Sequence, residues 1–184
     1  MIRGPAAPLR AFASSLALIL GCAALCGCND VASDPPSADG QAQFVRRDDA
    51  NMAGAPVAIV SVDGAPADLS AHFNQSLTLA AAAQKIAVVP PAKARYLVRG
   101  YLTASPIEGG AEVDVVWDVF TADKQRIQRL SDAIAVQGAG DSAWAMVGDA
   151  ALASVAAKSA DDLAAYLSNT PEAAPAGAAL SYAQ

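Results

Sequence analysis

Residues 111–121, AEVDVVWDVFT, switch between apolar and polar at nearly every step. Val113, Val115, Trp117 and Val119 fall on one side of an extended chain, and Glu112, Asp114 and Asp118 on the other. A period of two belongs to a strand with one buried and one wet face, and no helix satisfies it. The chain must therefore supply neighbouring strands and an apolar layer to cover the valines. RYLVRGYLTAS (95–105) precedes this strand across PIEGG, a loop suited to a hairpin. The expected register sets Val98 opposite Trp117, Gly100 opposite Val115 and Leu102 opposite Val113. A second hairpin should turn at Asp123-Lys124, bringing Arg129 opposite Asp118 and Leu130 opposite Trp117. That register carries Asp132 inward, which is wrong for a regular strand, so a bulge is expected near Ser131-Asp132.

Around this core pattern the remaining elements fall into place. PVAIVSV (56–62) reads as a buried strand, and Asp63-Gly64 as a turn. Leu69, Phe73, Leu77, Ala80 and Ala81 then recur at helical spacing, so 66–84 is an amphipathic helix. Pro66 suits its first position and Asp68 its first turn, where the amide dipoles favour negative charge. IAVVP (86–90) reads as the next strand, stopped by Pro90-Pro91. After the hairpins, GAGD offers Asp141 as an N-cap for a second helix over 142–167. Trp144, Gly148, Leu152, Val155, Leu163 and Leu167 line its apolar side. The expected order is β-α-β-β-β-β-α, an α+β (α/β two-layer) domain with one mixed sheet and both helices on one face. A chain of 184 residues has room for one such domain with a proper core. It is 54% apolar but only 5% aromatic, so a few large side chains must carry most of the burial.

The first ten residues hold Arg3 and Arg10 and no acid, and an apolar stretch runs from 11 to 27. That is the layout of an export signal. Leu25-Cys26-Gly27-Cys28 resembles a bacterial lipobox: an aliphatic residue, a tolerant position, a small residue, then the cysteine. The resemblance implies a signal peptide over 1–27, acylation of Cys28 and a membrane anchor formed by its lipid. Cys22 is the alternative site, weakened by bulky Leu20 before it. Asn29 after Cys28 leans towards the outer membrane, with the domain facing the periplasm. Residues 28–54 are polar and unpatterned and read as a tether, 55–167 as the folded body, and 168–184 as a disordered tail.

The composition excludes several functions. Net charge is −6, and the one adjacent basic pair, Arg46-Arg47, is followed at once by Asp48-Asp49. Nucleic acid needs a clustered cationic surface, so that partner is rejected. The three cysteines lie within seven residues at the end of the apolar run, and His72 is the single histidine, so no disulfide framework or Cys/His metal site is expected. No phosphate- or dinucleotide-binding glycine pattern occurs, and no cofactor is implied. His72 sits beside Phe73 in the first helix, a place for packing or solvent. Glu112, Asp114 and Asp118 share a strand face, with Arg99 and Arg129 across the ladder. Solvated cross-strand charges explain them better than general acid–base chemistry. Trp117 and Trp144 read as core anchors, or as the walls of a ligand site. No enzyme is expected.

Four segments, LSAHFNQSLTLAAAAQKI, YLVRGYLTAS, VVWDVFTADKQRI and DSAWAMVGDAALASVAAKSADDLAAYL, together resemble a group of small alphaproteobacterial lipoproteins. More distantly, the helix, the two strands and the final helix look like the amino-terminal α/β domain of TolB and related CsgG-like envelope proteins. Those are interaction and assembly domains without catalytic residues. The resemblance implies a non-enzymatic accessory domain that holds another envelope protein. The other expectation is a lipid or glycan carrier with a pocket between helix 66–84 and the sheet.

Overall fold

The computed structural model describes residues 44–175. β1 (Val57–Asp63) leads into α1 (Ala67–Ala83), which crosses to β2 (Tyr96–Ile107). β3 (Gly110–Thr121) and β4 (Arg126–Gln137) follow as a meander, and α2 (Asp149–Ser168) closes the order. The sheet runs β1-β2-β3-β4, with β1 parallel to β2 and the other pairs antiparallel. The expected class holds: one mixed sheet with two helices. Val98, Val113, Val115, Trp117 and Val119 are buried together with Phe73 and Leu77 of α1 and Leu152, Val155 and Leu163 of α2. α2 meets its neighbours with Ala156, Ala160 and Ala164, all fully buried, and small side chains let helix axes approach closely. α1 ends where Lys85 turns left-handed, at φ 60°, and the N–H groups of Lys85 and Ile86 return to the Ala82 and Ala81 carbonyls.

The segment 86–90 differs from its expected strand. It makes one isolated parallel bridge, Val57 to Val88, and then enters a 3-10 turn at Pro91–Lys93. Pro90 and Pro91 have no N–H to extend a ladder, so the order is β-α-β-β-β-α.

The first hairpin is offset by two residues from the expected register. Val98 faces Val119, Gly100 faces Trp117, and Leu102 faces Val115. Its turn is Glu108-Gly109 alone, with Gly109 at φ 79°, so Pro106 and Ile107 remain in the strand. A shift of two preserves parity, and every side chain keeps its expected face. Steric fit supports the observed register: a Cβ on Gly100 would lie 2.5 Å from Trp117 Cζ3. The indole needs a partner without a side chain.

The second hairpin has the expected pairs, Asp118 with Arg129 and Trp117 with Leu130. Its bulge, however, falls at Ile127, between the Val119–Gln128 and Phe120–Arg126 pairs. Asp132 stays inward because Lys158 of α2 reaches it, Nζ to Oδ2, at 2.6 Å. α2 starts seven residues later than the spacing predicts. Trp144–Met146 is a separate 3-10 turn, and Ser142 Oγ before it accepts from the Ala145 N–H at 3.2 Å. Asp141 caps nothing, and Gly148 takes the N-cap position in extended conformation.

Both ends of the folded body reach beyond 55–167. Phe44 packs edge-on against Tyr166, with centroids 5.2 Å apart, and Met52 and Ala55 are buried. The Arg47 N–H donates to Ser168 Oγ at 3.0 Å, and Asn51 N–H to the Ala173 carbonyl at 2.9 Å. Glu172 pairs with Arg95 at 2.7 Å and accepts from the Tyr96 hydroxyl. A polar average over 28–54 hid the few apolar anchors among these residues. The expected signal peptide, Cys22, Cys28 and the final residues from 176 lie outside the described residues. Among the described residues no helix is long and apolar enough to cross a membrane.

Candidate interaction face

With α1 and α2 on one side of the sheet, the other side is covered by no helix among the described residues. Alternation delivers to it Leu97, Arg99, Tyr101 and Thr103 from β2, Glu112, Asp114, Val116, Asp118 and Phe120 from β3, and Arg126 and Arg129 from β4. Its centre is a carboxylate held in a fork. Arg129 donates through Nε to Asp118 Oδ1 at 2.7 Å and through Nη2 to Oδ2 at 2.8 Å, and Arg126 Nη1 stands 3.6 Å from Oδ1. Bidentate pairing of this kind fixes geometry as well as charge. Asp118 is only 4% exposed, so it is not the solvated charge its position predicts. The Arg129 hydrogen bonds hold its carboxyl below the usual carboxylate range, against the opposing effect of burial.

Arg99 lies opposite Asp118 in the ladder yet does not pair with it. Its guanidinium sits 5.8 Å from the centroid of the Phe120 ring, a cation–π contact. Tyr101, in the next outward position, is 38% exposed. Towards the Glu108-Gly109 turn the face becomes acidic. Thr103 Oγ1 donates to Asp114 Oδ2 at 3.3 Å, and Glu112 stands beyond. Cations, one tyrosine and carboxylates occur in sequence along it. Arg126 was the member missed by sequence reasoning, because only the bulge at Ile127 swings it onto the Asp118 side.

The other sequence-derived candidates do not converge with it. Trp117 is buried and stacks on Phe73 at 6.3 Å, so the space between α1 and the sheet is filled by side chains. Its Nε1 and Ser159 Oγ are buried without a hydrogen-bond partner among the described residues. Trp144 is half-buried in its 3-10 turn, at the margin of the core. His72 Nδ1 lies 3.2 Å from Asp149 Oδ1, with side chains 57% and 86% exposed. Their groove, about 250 Å³, is shallow and also lined by Gln75, Ser76 and Leu152. An imidazole this open to water is not oriented for proton transfer by anything but a solvated carboxylate. Among the described residues, no three His, Cys, Asp or Glu side chains converge as metal ligands.

No protein-family model and no curated protein matches the chain. Among solved structures, the PelC dodecamer from Paraburkholderia phytofirmans is similar at 16% identity, covering 62% of this chain and 88% of that one, with a TM-score of 0.40. A dodecamer of a PelC variant from the same organism covers 60% and 86%, at 16% identity and a TM-score of 0.41. At scores under 0.5 neither similarity bears on what this chain does.

Proposed function

We propose that this chain is a lipid-anchored envelope lipoprotein whose domain holds another envelope protein through the open face of its sheet. The observation that carries this reading is Asp118, nearly buried under Arg129 and Arg126 on a face that no helix covers among the described residues. Desolvating a carboxylate is costly, and a structural core gains little from doing so outside its apolar layer. Rigid, pre-oriented charge at a surface is what a specific docking site requires. The LCGC sequence supports the anchor, with acylation at Cys28 and Asn29 favouring the outer membrane. The solvated His72–Asp149 contact and the filled space around Trp117 support a domain that neither catalyses a reaction nor carries a small ligand.

Cells fed labelled palmitate test the anchor. Label is expected in wild type and in Cys22→Ser, absent from Cys28→Ser, and recovered with the outer membrane. Label that survives Cys28→Ser and disappears in Cys22→Ser moves the anchor, and no label in any form removes the reading.

A further inference from the structure

The open face is electrically lopsided about one row. Tyr101 and Val116 face each other across β2 and β3, and exposed Asp63 of β1 stands beside Tyr101 in the same row. Two and four positions to one side of them stand Arg99, Arg129 and Arg126, three guanidinium groups against the single carboxylate of Asp118, which Arg129 and Arg126 hold. Two and four positions to the other side stand Asp114 and Glu112. Among the described residues, Arg99, Asp114 and Glu112 have no ion-pair partner. The hydrogen bond from Thr103 turns Asp114 towards β2, the strand that carries Arg99. Arg99 therefore has its counterpart, Asp114, the same number of steps away at the other end, and Glu112 has its own in Arg126, which already shares Asp118.

We infer that the protein held by this face is a second copy of the same chain. The two copies are related by a two-fold axis that lies between the sheets and crosses the strands over the Tyr101–Val116 row. That operation lays the cationic end of each copy on the anionic end of the other and uses the same patch twice, as an isologous dimer must. Arg99 then stands over the partner's Thr103, beside the carboxylate that this threonine turns towards it. Sheets packed face to face sit about 10 Å apart with strands nearly aligned, close enough for both side chains to meet. Three of the sheet's four strands, 12 residues each, make up most of the face. At about 3.4 Å per residue and 4.8 Å between strands, they bury roughly 1,100 Å² in total, the lower end for a specific interface. The dimer is therefore a modest one, favoured where a shared membrane concentrates both copies. This inference rests on the docking function proposed above.

The test uses the full chain in its own membranes, with Tyr101→Cys and a bismaleimide spanning about 10 Å, the sheet separation. A residue on the axis row meets its own copy, so an adduct of twice the chain mass is expected. Ser105→Cys, four steps off the row, sits about 27 Å from its copy and should not link. Wild type, with its own cysteines, sets the background. In the Tyr101→Cys background, Arg99→Glu and Asp114→Arg should each cut the yield at least five-fold, and together restore it. Equal yields from Tyr101→Cys and Ser105→Cys, or charge variants without effect, overturn the inference. An adduct to a different protein overturns the second copy while leaving the docking function standing. No adduct of any kind, in protein still resistant to protease, overturns both.

Discussion

Lys158 of α2 places its ammonium 2.6 Å from the Asp132 carboxylate of the edge strand β4, and the same ammonium holds Asp162 at 2.6 Å one turn along its own helix. Burial opposes the charge on Lys158, but the two carboxylates outweigh it and its pKa is raised. One side chain thus ties a helix to the strand whose inward aspartate breaks the apolar alternation.

The two ends of that tie should respond differently to removal. Lys158→Ala leaves Asp132 turned inward without its cation and is expected to cost about 1 kcal/mol, because both groups keep some access to water. Asp132→Val restores the apolar alternation and leaves Lys158 paired with Asp162, so it should be neutral or stabilising. Urea denaturation of both variants decides it. Equal losses would show that Asp132 contributes something besides its pairing with Lys158.

Gly100 and Gly148 make a contrasting pair. Gly100→Ala drives a methyl group into the Trp117 indole, which cannot retreat because it stacks on Phe73, and should cost about 1–3 kcal/mol. Gly148 caps α2 at φ −83° and ψ 174° with nothing within 4 Å of a Cβ, so Gly148→Ser should add a few tenths of a kcal/mol. Thermal melts that rank the two the other way would contradict the observed register.

Stability should fall at both extremes of pH. Asp118 and Glu172 have pKa values lowered on folding, by Arg129 for the first and chiefly by Tyr96 for the second. Their contribution is complete above the unfolded values of 3.8 and 4.5, and is lost as pH falls through the lower folded values. Asp118→Asn should therefore flatten the acid limb of a plot of urea midpoint against pH. Tyr96 shifts the opposite way, with burial and the Glu172 hydrogen bond raising its pKa to about 12. Its contribution is complete below 10.0 and is lost as pH rises through about 12, so Tyr96→Phe should remove that alkaline loss. Unchanged limbs in both variants would assign the pH dependence to other groups.

The chain boundaries give a further prediction. A fragment of residues 55–167 exposes Tyr166 and loses Met52 and the Glu172 latch on Arg95 and Tyr96. Burying Met52 alone is worth roughly 1.5–3 kcal/mol. Residues 44–175 should give a cooperative melt, and 55–167 a lower midpoint or aggregation. Matching melts from the two fragments would show that the added segments contribute nothing.

Much of this fold was legible locally. The alternation around Trp117, the 3.6-residue spacing in 66–84 and the Asp123-Lys124 turn depend on neighbours in the chain, and each appears where its pattern predicts. The Asp118–Arg129 pair was legible too, because a short turn leaves few registers to choose from. Other features were decided in three dimensions. A two-residue slip in the first hairpin changes no side chain's face, so pattern alone cannot detect it, while Trp117 packed over Gly100 can. Asp132 looked like a signal for a bulge until α2 brought Lys158 to it. The docking of Phe44 and Glu172 rests on contacts with residues 122 and 77 positions away, Tyr166 and Arg95, which no local window samples. Sequence periodicity sets which side of an element meets the core, since that is a property of backbone geometry. Where elements slide, begin and close on one another follows from steric and electrostatic fit between residues far apart in the chain.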